Sequence, residues 1–491
     1  MAVVTTPDDR AVLESASVQA LLSQIGDAVR VTDGTFELLD EQAFRTRALD
    51  LLAHAAALGE DDDVKDTARW IIGEAGSALG VRPASIHELY MARGRGEISG
   101  FTVPAMNIRA ATYYTGRALF SAAVELDVGA LILEIARSEI GYTEQRPAEY
   151  VAVLTAAALR EGWSGPLFFQ GDHVQINAKK FAANPEPEVQ ALRDLIREQL
   201  HAGFYNIDVD TSTLVDLSWE SIEEQQALNC RLSAEFTEFI RKHEPKGITV
   251  SIGGEIGEVG TENSTPEELR AYMNGYLAEL RTLSEKAGRE YAGLSKISVQ
   301  SGTSHGGVVL PDGSIQEVAI DFETLRTLSE IARKEYGLAG AVQHGASTLP
   351  EHAFGRFPDA GTAEIHLATN FQNMVFDHPA LPGDLRRRMY DWCRENLADE
   401  RKPSDTEEQF IYKARKKALG AFKRELWELP AETWEQIGGS LRKQFAFLFE
   451  KLAVTNTRQV VQRYVTAPER PRSGPAALRI KAAADDWDLS D

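Results

Sequence analysis

The sequence predicts a (β/α)8 TIM barrel with helical extensions at both ends. Eight short apolar runs have the character of strands, amphipathic stretches lie between them, and polar groups follow several of the runs. The runs lie near residues 101–107, 129–136, 166–172, 204–210, 248–255, 296–302, 339–344 and 363–368. Strands that alternate with helices imply a parallel sheet, and a count of eight favours closure into a barrel. A doubly wound open sheet is the alternative.

Helical periodicity separates the predicted strands and continues beyond them. In the stretch from Val189 to Ala202, apolar side chains recur at three- and four-residue spacing before Gly203 ends the helix. Similar stretches are Val12–Leu22, Glu41–Leu58, Gly116–Leu126, Pro147–Glu161, Trp219–His243, Pro266–Lys286, Phe322–Tyr336, Pro350–Ala360, Phe410–Leu426 and Trp434–Lys451. The predicted segments are a helical extension over 1–95, the barrel over 96–380, a second helical extension over 381–465 and a flexible tail over 466–491.

Composition narrows the class of protein. Hydrophobic residues make up 43% of the 491 residues, which supports a large folded core. The formal net charge of −22 disfavours nucleic acid and anionic membranes as partners. Only two cysteines, Cys230 and Cys393, are present, so neither a disulfide framework nor a cysteine zinc cluster is expected. With no signal peptide or membrane-spanning stretch in the sequence, we expect a cytoplasmic protein.

Histidines follow three of the predicted strands. Asp172 and His173 close the third strand, His305 follows the sixth and His344 follows the seventh. Barrel active sites lie at the carboxyl-terminal rim, where these groups would meet. Imidazoles and carboxylates are the ligands of a transition metal. The sequence therefore predicts a metalloenzyme with Asp172 as a general acid or base; the alternative is histidines that serve only loop hydrogen bonds.

Glycines and glutamates surround these histidines. Gly306 and Gly345 would let backbone amides approach a phosphate, and Ser347 would add a hydroxyl donor. Glu255, at the end of the fifth strand, suits a position beside the metal. Glu262, further along the same loop, suits a base that swings in to remove a proton. The alternative for both glutamates is a solvated loop.

Several motifs, in order, resemble the class II (zinc-dependent) fructose-bisphosphate and tagatose-bisphosphate aldolases. They are Gln170-Gly171-Asp172-His173 with Ala178-Lys179-Lys180, Asp216-Leu217-Ser218-Trp219-Glu220-Ser221, Glu255-Ile256-Gly257 with Glu262, Gly302-Thr303-Ser304-His305-Gly306, and His344-Gly345-Ala346-Ser347. The resemblance runs from about Val103 to about Asn370 and covers the barrel only.

The resemblance implies roles by position. The zinc ligands would be His173, His305 and His344, with Glu255 close to the metal. Asp172 would carry the proton of the hydroxyl that becomes the aldehyde, and Glu262 would act at the carbon where a zinc-stabilised enediolate forms. The implied substrate contacts are Asn107 and, around the phosphate of dihydroxyacetone phosphate, Gly306, Gly345 and Ser347. Another divalent ion in place of Zn²⁺, and a monovalent cation, are compatible with this reading.

The chain departs from the family pattern at two strand ends. Where the family has Asn-Ile-Asp-Thr-Asp after the eighth strand, this chain has His366-Leu367-Ala368-Thr369-Asn370, and only Thr369 matches. Ala136 replaces the usual serine after the second strand, followed by Arg137 as a candidate anion clamp or a structural ion pair. His366 is a candidate donor to the enediolate, a fourth metal ligand or a polar residue of the rim. In the family these positions contact substrate hydroxyls and phosphate, so Thr369 and Asn370 are candidate substrate contacts and the departures predict an atypical substrate.

The function expected from this reading is a metal-dependent aldolase that cleaves a fructose-bisphosphate-like ketose phosphate, a reaction of carbohydrate metabolism and glycolysis. The alternatives are a non-catalytic barrel subunit of an aldolase complex and a class II-type aldolase that acts on a different substrate, phosphorylated or not. Amphipathic helices outside the barrel predict a homodimer or homotetramer.

Overall fold

The eight predicted strands form a closed parallel barrel in the computed structural model. The structure describes residues 17–257, 262–302, 310 and 320–478. The predictions for His305 and Gly306, for the start of the first helix and for residues 479–491 lie outside the described residues. Within the described ranges, no helix combines the length and apolar character needed to cross a membrane.

The amino-terminal extension contains three strands as well as helices. Its elements are α1 (Val18–Ile25), β1 (Val29–Thr32), β2 (Thr35–Leu38), α2 (Glu41–Ala43), α3 (Leu49–Leu58), α4 (Asp62–Ala78), β3 (Val81–Pro83) and α5 (His87–Gly94). Strands β1 and β2 form an antiparallel hairpin that the helical prediction missed. Its two-residue turn is Asp33-Gly34, with φ of 50° and 71°. An Asp-Gly pair of this kind is a strong hairpin signal.

The barrel strands and their connecting helices follow in alternation. The strands are β4 (Val103–Asn107), β5 (Ile132–Ala136), β6 (Gly165–Gln175), β7 (Asn206–Asp210), β8 (Ser251–Glu255), β9 (Lys296–Val299), β10 (Ala341–Gln343) and β11 (Glu364–Leu367). The helices are α6 (Thr112–Glu125), α7 (Arg137–Tyr142), α8 (Pro147–Arg160), α9 (Ala178–Ala183), α10 (Pro185–Ala202), α11 (Ile222–His243), α12 (Pro266–Ala287), α13 (Phe322–Tyr336), α14 (Arg356–Asp359) and α15 (Thr369–Phe376). Each strand pairs in parallel with the next, and β11 pairs with β4 to close the barrel.

Helix α5 covers the amino-terminal end of the barrel. The buried guanidinium of Arg93 donates to the carbonyl oxygens of Ala339 at 3.1 Å and Thr362 at 2.9 Å, which directly precede barrel strands. Just before α5, Ser85 Oγ accepts from the backbone N–H of Ser251 at 3.0 Å. The amino-terminal extension is therefore bonded to the start of several strands and closes the lower end of the barrel.

The carboxyl-terminal extension is helical, as the sequence predicts. Its helices are α16 (Gly383–Asn396), α17 (Glu407–Ala414), α18 (Ala418–Ala421), α19 (Lys423–Trp427), α20 (Ala431–Lys451) and α21 (Arg458–Tyr464). Helix α20 packs against α6 and α15. Of the segment predicted as a flexible tail, residues 466–478 are described. Within this segment the carbonyl oxygen of Arg472 accepts a hydrogen bond from Trp70 Nε1, on α4, at 3.0 Å. This bond joins the segment to the amino-terminal extension.

Two predicted helices are interrupted. The stretch 350–360 contains a short 3-10 turn, Glu351–Ala353, and the single turn α14. Pro358 removes a backbone donor there. The stretch 410–426 is divided among three short helices, and Gly420 lies where they meet the barrel. A Cβ on Gly420 would come within 2.5 Å of Tyr142 O, so the close approach requires glycine.

Candidate active site

A cavity of about 910 Å³ opens at the carboxyl-terminal end of the barrel. The predicted residues that line it are Arg137, Asp172, His173, Glu255, His344, Gly345, Ser347, His366 and Thr369. Asn107, Glu262 and Asn370 are described, but they are not among the residues that line this cavity. The rim thus brings together groups that are far apart in the sequence.

A bulge in β6 turns Asp172 and His173 toward the cavity. The register between β6 and β7 shifts between Gly171 and Val174, and His173 has a φ of 40°. A left-handed backbone is costly for a residue other than glycine and is concentrated at functional sites. In a regular strand the two side chains would point to opposite faces. The bulge allows both to reach the same cavity.

Asp210 fixes the ring of His173. Its Oδ2 lies 3.1 Å from His173 Nδ1. Burial raises the pKa of Asp210, but hydrogen bonds from His173, Ser212 and Gln175 outweigh burial and hold that pKa below its ordinary value. An ionised Asp210 accepts a hydrogen bond from Nδ1–H and directs Nε2 toward Asp172, 3.8 Å from its Oδ1. This is the arrangement that orients a metal-ligating histidine.

His344 approaches His173 from the other side of the mouth. The ring centroids of the two histidines lie 4.4 Å apart. One donor atom each from Asp172, His173 and His344 lie within 4.8 Å of one another, as do donor atoms of His173, Asp210 and Glu255. Two overlapping sets of nitrogen and oxygen donors are suited to a divalent metal such as zinc.

Glu255 lies beside this donor set. Its Oε2 is 3.6 Å from His173 Nδ1. Burial, followed by repulsion from Asp210, raises the pKa of Glu255 to about 8. Burial and the neighbouring acids therefore favour the protonated form of Glu255. A nearby metal ion would favour the carboxylate.

His366 is buried among carboxylates. Its Nε2 lies 2.8 Å from Glu364 Oε1, and its Nδ1 lies 3.1 Å from Glu134 Oε2 and 3.2 Å from Asp172 Oδ1. Only 5% of the residue is exposed. Burial opposes a charge on this imidazole, but Glu134 and the other acids raise its pKa well above the ordinary value.

Glu134 completes this acidic group. It is fully buried on β5, and Gln170 Nε2 donates to its Oε2 at 3.0 Å. Burial, with repulsion from Asp172, raises the pKa of Glu134 to about 7. The carboxylates around His366 thus repel one another and favour a cation in their midst.

Asn107 is held by other side chains. Its Nδ2 donates to Glu139 Oε2 at 2.6 Å, and its Oδ1 accepts from Arg109 Nε at 3.1 Å. Arg109 also pairs with Glu139 at 2.5 Å and lines the cavity. Arg109, which the sequence reading did not single out, therefore lies between the predicted substrate contact and the cavity.

The candidate phosphate-binding residues lie beside His344. Gly345 has a φ of 69°, and Ser347 Oγ accepts from the backbone N–H of Ala368 at 2.6 Å. Thr369 begins α15 at the cavity wall. Arg137 instead donates to Glu188 Oε1 at 2.5 Å and to Gln175 O at 2.7 Å. Of the two interpretations of Arg137, the structural ion pair therefore has a partner in the structure, which is Glu188.

The sequence reading missed the acids that lie within the strands β7 and β11. Asp208 and Asp210 are two residues apart on β7, and Glu364 and His366 are two residues apart on β11. Side chains at this spacing share one face of a strand. The period of two was therefore the signal that could have identified them.

Comparisons with known proteins identify a family and several structures that this chain resembles. The profile of the family "Fructose-bisphosphate aldolase class-II" matches residues 95–425. A fructuronate-tagaturonate epimerase structure from Cohnella laeviribosi is 12% identical, covers 88% of this chain and 90% of its own, and has a TM-score of 0.53. A fructose-bisphosphate aldolase structure from Campylobacter jejuni is 17% identical, covers 77% and 97%, and has a TM-score of 0.45. Among curated proteins, none matches.

Proposed function

Because the chain belongs to the class II fructose-bisphosphate aldolase family, we propose that it is a metal-dependent aldolase. The reaction is the reversible cleavage of a ketose phosphate into dihydroxyacetone phosphate and an aldehyde. The observation that carries this proposal is the convergence of Asp172, His173 and His344, whose donor atoms lie within 4.8 Å of one another at the cavity.

A divalent ion suits the donor set at this position. His173 and His344 would hold it, with His305 as the third ligand implied by the family pattern and Glu255 beside them. The hydrogen bond from His173 to Asp210 supports this assignment, because it fixes the ring as a ligand requires. When bound, the ion supplies a Lewis acid that polarises the substrate carbonyl.

Cleavage of the carbon–carbon bond requires removal of a proton from the hydroxyl on the aldehyde side. Asp172 is proposed to accept that proton. Its Oδ1 lies 3.2 Å from His366 Nδ1, so the imidazole can orient the carboxylate and share the proton. Asp172 is 5% exposed and lines the cavity, and this location limits competing proton exchange with bulk water.

The phosphate is proposed to bind beside His344. Gly345 and Ser347 follow this histidine, and Thr369 opens α15 on the neighbouring strand end. Backbone amides at a helix amino terminus and a hydroxyl are suitable donors for a phosphate. Gly306 would complete the site in the family pattern. Glu262, which is exposed, is proposed to act on the donor carbon.

Epimerisation of a keto sugar acid is a second candidate. The epimerase structure aligns with 88% of this chain, whereas the Campylobacter aldolase structure covers 77%. The buried guanidinium of Arg109 at the cavity wall is a suitable partner for a substrate carboxylate. Aldol cleavage followed by recombination on the opposite face would use the same proton carriers.

Metal content and turnover test both candidates together. Purified protein is assayed for bound metal, and then for products from ketose mono- and bisphosphates, fructuronate and tagaturonate. The aldolase proposal predicts dihydroxyacetone phosphate only from phosphorylated ketoses and loss of turnover after chelation. Interconversion of the two uronates without cleavage products would support the epimerase instead. No turnover with any substrate by metal-loaded protein would favour the non-catalytic subunit.

A further inference from the structure

A line of buried polar contacts runs through the barrel from the amino-terminal extension to the cavity. The hydroxyl of Tyr90, on α5, donates to Glu364 Oε2. Glu364 Oε1 lies 2.5 Å from Lys296 Nζ and 2.8 Å from His366 Nε2. His366 Nδ1 in turn faces Asp172 Oδ1 at 3.2 Å. None of these five residues is more than 5% exposed.

We propose that Tyr90 and Lys296 are positioning residues of this site, and that they act through Glu364 to hold the ring of His366 toward Asp172. The proposal rests on the proposed function, because it gives the orientation of His366 a role in aldol cleavage. Neither Tyr90 nor Lys296 lines the cavity, so neither is a catalytic residue.

Glu364 fixes the orientation of the His366 ring through the 2.8 Å contact with Nε2. Burial raises the pKa of Glu364, but the Lys296 ammonium and the hydrogen bond to His366 lower it to about 2. An ionised carboxylate only accepts hydrogen bonds. Nε2 of His366 must therefore donate to Glu364, which leaves Nδ1 directed toward Glu134 and Asp172. The ring cannot flip without losing the bond to Glu364.

Lys296 and Tyr90 hold the Glu364 carboxylate from two sides. Lys296 also bonds to Asp208 Oδ1 at 2.9 Å and to Gln170 Oε1 at 2.8 Å, so its ammonium is fixed in the barrel axis. Tyr90 binds the other oxygen of Glu364 from below. Oε2 thus accepts from Tyr90, whereas Oε1 accepts from Lys296, from His366 and from Gln170 Nε2 at 2.9 Å. Rotation of the carboxylate would break these contacts.

The energetic cost of this arrangement supports a functional interpretation. The interior of a (β/α)8 barrel is ordinarily filled by layers of branched apolar side chains. A buried ion pair is often no more stabilising than apolar residues of the same volume. The buried pair of Lys296 and Glu364 is therefore better explained by its orientation of His366 than by a contribution to stability.

Tyr90 also links the site to a part of the chain beyond the family match. The family profile begins at residue 95, and α5 ends at Gly94. The amino-terminal extension therefore contributes a side chain to the support of the active site, in addition to closing the barrel.

The test compares two buried tyrosines that each donate to a carboxylate. Tyr90→Phe removes the bond to Glu364, and Tyr113→Phe removes a similar 2.5 Å bond to Asp50 between two residues that do not line the cavity. Tyr90→Phe should lower kcat by about 10- to 100-fold, the usual effect of removing a supporting hydrogen bond. KM and metal content should not change, and Tyr113→Phe should keep the wild-type kcat. Equal kcat in the two variants would overturn the proposal.

Crystal structures separate this inference from the proposed function. In Tyr90→Phe the ring of His366 should turn away from Asp172; an unchanged ring and carboxylate would overturn the positioning role whatever the substrate is. If wild-type protein cleaves no ketose phosphate, the proposed function fails. The orientation of the His366 ring in Tyr90→Phe then decides by itself whether Tyr90 has the positioning role. Should Tyr90→Phe not fold, Glu364→Gln, which has the same shape, serves instead and should lower kcat without a change in KM. An unchanged kcat in that variant would equally overturn the role.

Discussion

The imidazoles of His344 and His366 are stacked, with ring centroids 4.0 Å apart and ring planes 23° apart. His344 is a proposed metal ligand, whereas both nitrogens of His366 face carboxylates within 3.2 Å. These contacts favour His366 as a donor near the reacting atoms over a role as a fourth ligand. Its burial also differs from the exposed position expected of a polar rim residue.

Replacement of His366 by asparagine should therefore separate metal binding from turnover. His366→Asn should retain the metal, because His173, His305 and His344 are unchanged, and should lower kcat by roughly 10²- to 10⁴-fold through loss of a positioned proton carrier. Metal analysis and steady-state kinetics measure the two effects. His243→Asn, an exposed position on α11, is the control. Loss of the metal in His366→Asn would identify it as a ligand.

The metal ligands are tested by alanine substitution. His173→Ala, His305→Ala or His344→Ala should each abolish tight binding, since three imidazoles are proposed to hold the ion. Asp210→Asn should weaken binding by about 10- to 100-fold, because it disrupts only the bond that orients His173. Mass spectrometry of the dialysed proteins measures the metal content. Full zinc occupancy in His305→Ala would contradict the assignment.

The barrel was predictable because its signals are local. Each strand of a parallel barrel is buried on both faces and has a continuous apolar run, which the sequence shows eight times. The position of the rim residues follows from the strand prediction, because residues that come directly after parallel strands all lie at the same end of the barrel. Asp172, His173, Glu255 and His344 meet at the cavity for this reason.

Side-chain partners across the barrel were not predictable in the same way. The contact between Tyr90 and Glu364 joins residues 274 positions apart, and no local pattern encodes it. The bulge at His173 likewise depends on the register between β6 and β7. The β1–β2 hairpin is different, because its Asp33-Gly34 turn is a local signal in the sequence. The helical periodicity on both sides of this turn favours a helical extension instead.

Asp172 is predicted to be required for turnover but not for metal binding. Asp172→Asn keeps the shape of the side chain and removes its capacity to accept a proton. The expected result is a decrease in kcat of roughly 10²- to 10⁴-fold with the metal retained. The comparison is with Asp194→Asn, a substitution on the exposed face of α10. Wild-type rates in Asp172→Asn would remove this residue from the mechanism.

Fructose 1,6-bisphosphate is predicted to be a poor substrate. Ala136 has no side-chain donor at the second strand end, and Ala368 has no carboxylate at the eighth. Each missing partner costs about 1–3 kcal/mol where a buried substrate hydroxyl remains unsatisfied. Its kcat/KM should therefore be lower than that of another ketose phosphate in a competitive panel. A value near 10⁵ M⁻¹s⁻¹ that exceeds all the others would show that these departures do not set specificity.

The stability of the protein should depend on pH through His54. This buried residue on α3 lies 3.1 Å from Tyr114 Oη, and burial lowers its pKa to about 4 from an ordinary 6.5. Below pH 6.5 the unfolded chain binds a proton that the folded protein excludes, so acidification lowers the free energy of unfolding. Between pH 7.5 and 5.5 this contribution is about 1.4 kcal/mol, because one pKa unit corresponds to that energy.

His54→Gln removes this titration, so its free energy of unfolding should fall less than that of the wild type over the same pH interval. Urea denaturation at pH 7.5 and at pH 5.5 measures the free energy of unfolding of each protein. Its fall between the two pH values should be about 1.4 kcal/mol smaller for His54→Gln than for the wild type. Other titrating groups are common to both proteins and cancel in the comparison. His243→Gln, at an exposed position, should follow the wild type. A difference between His54→Gln and the wild type that does not change with pH would show that His54 is not held neutral in the folded protein.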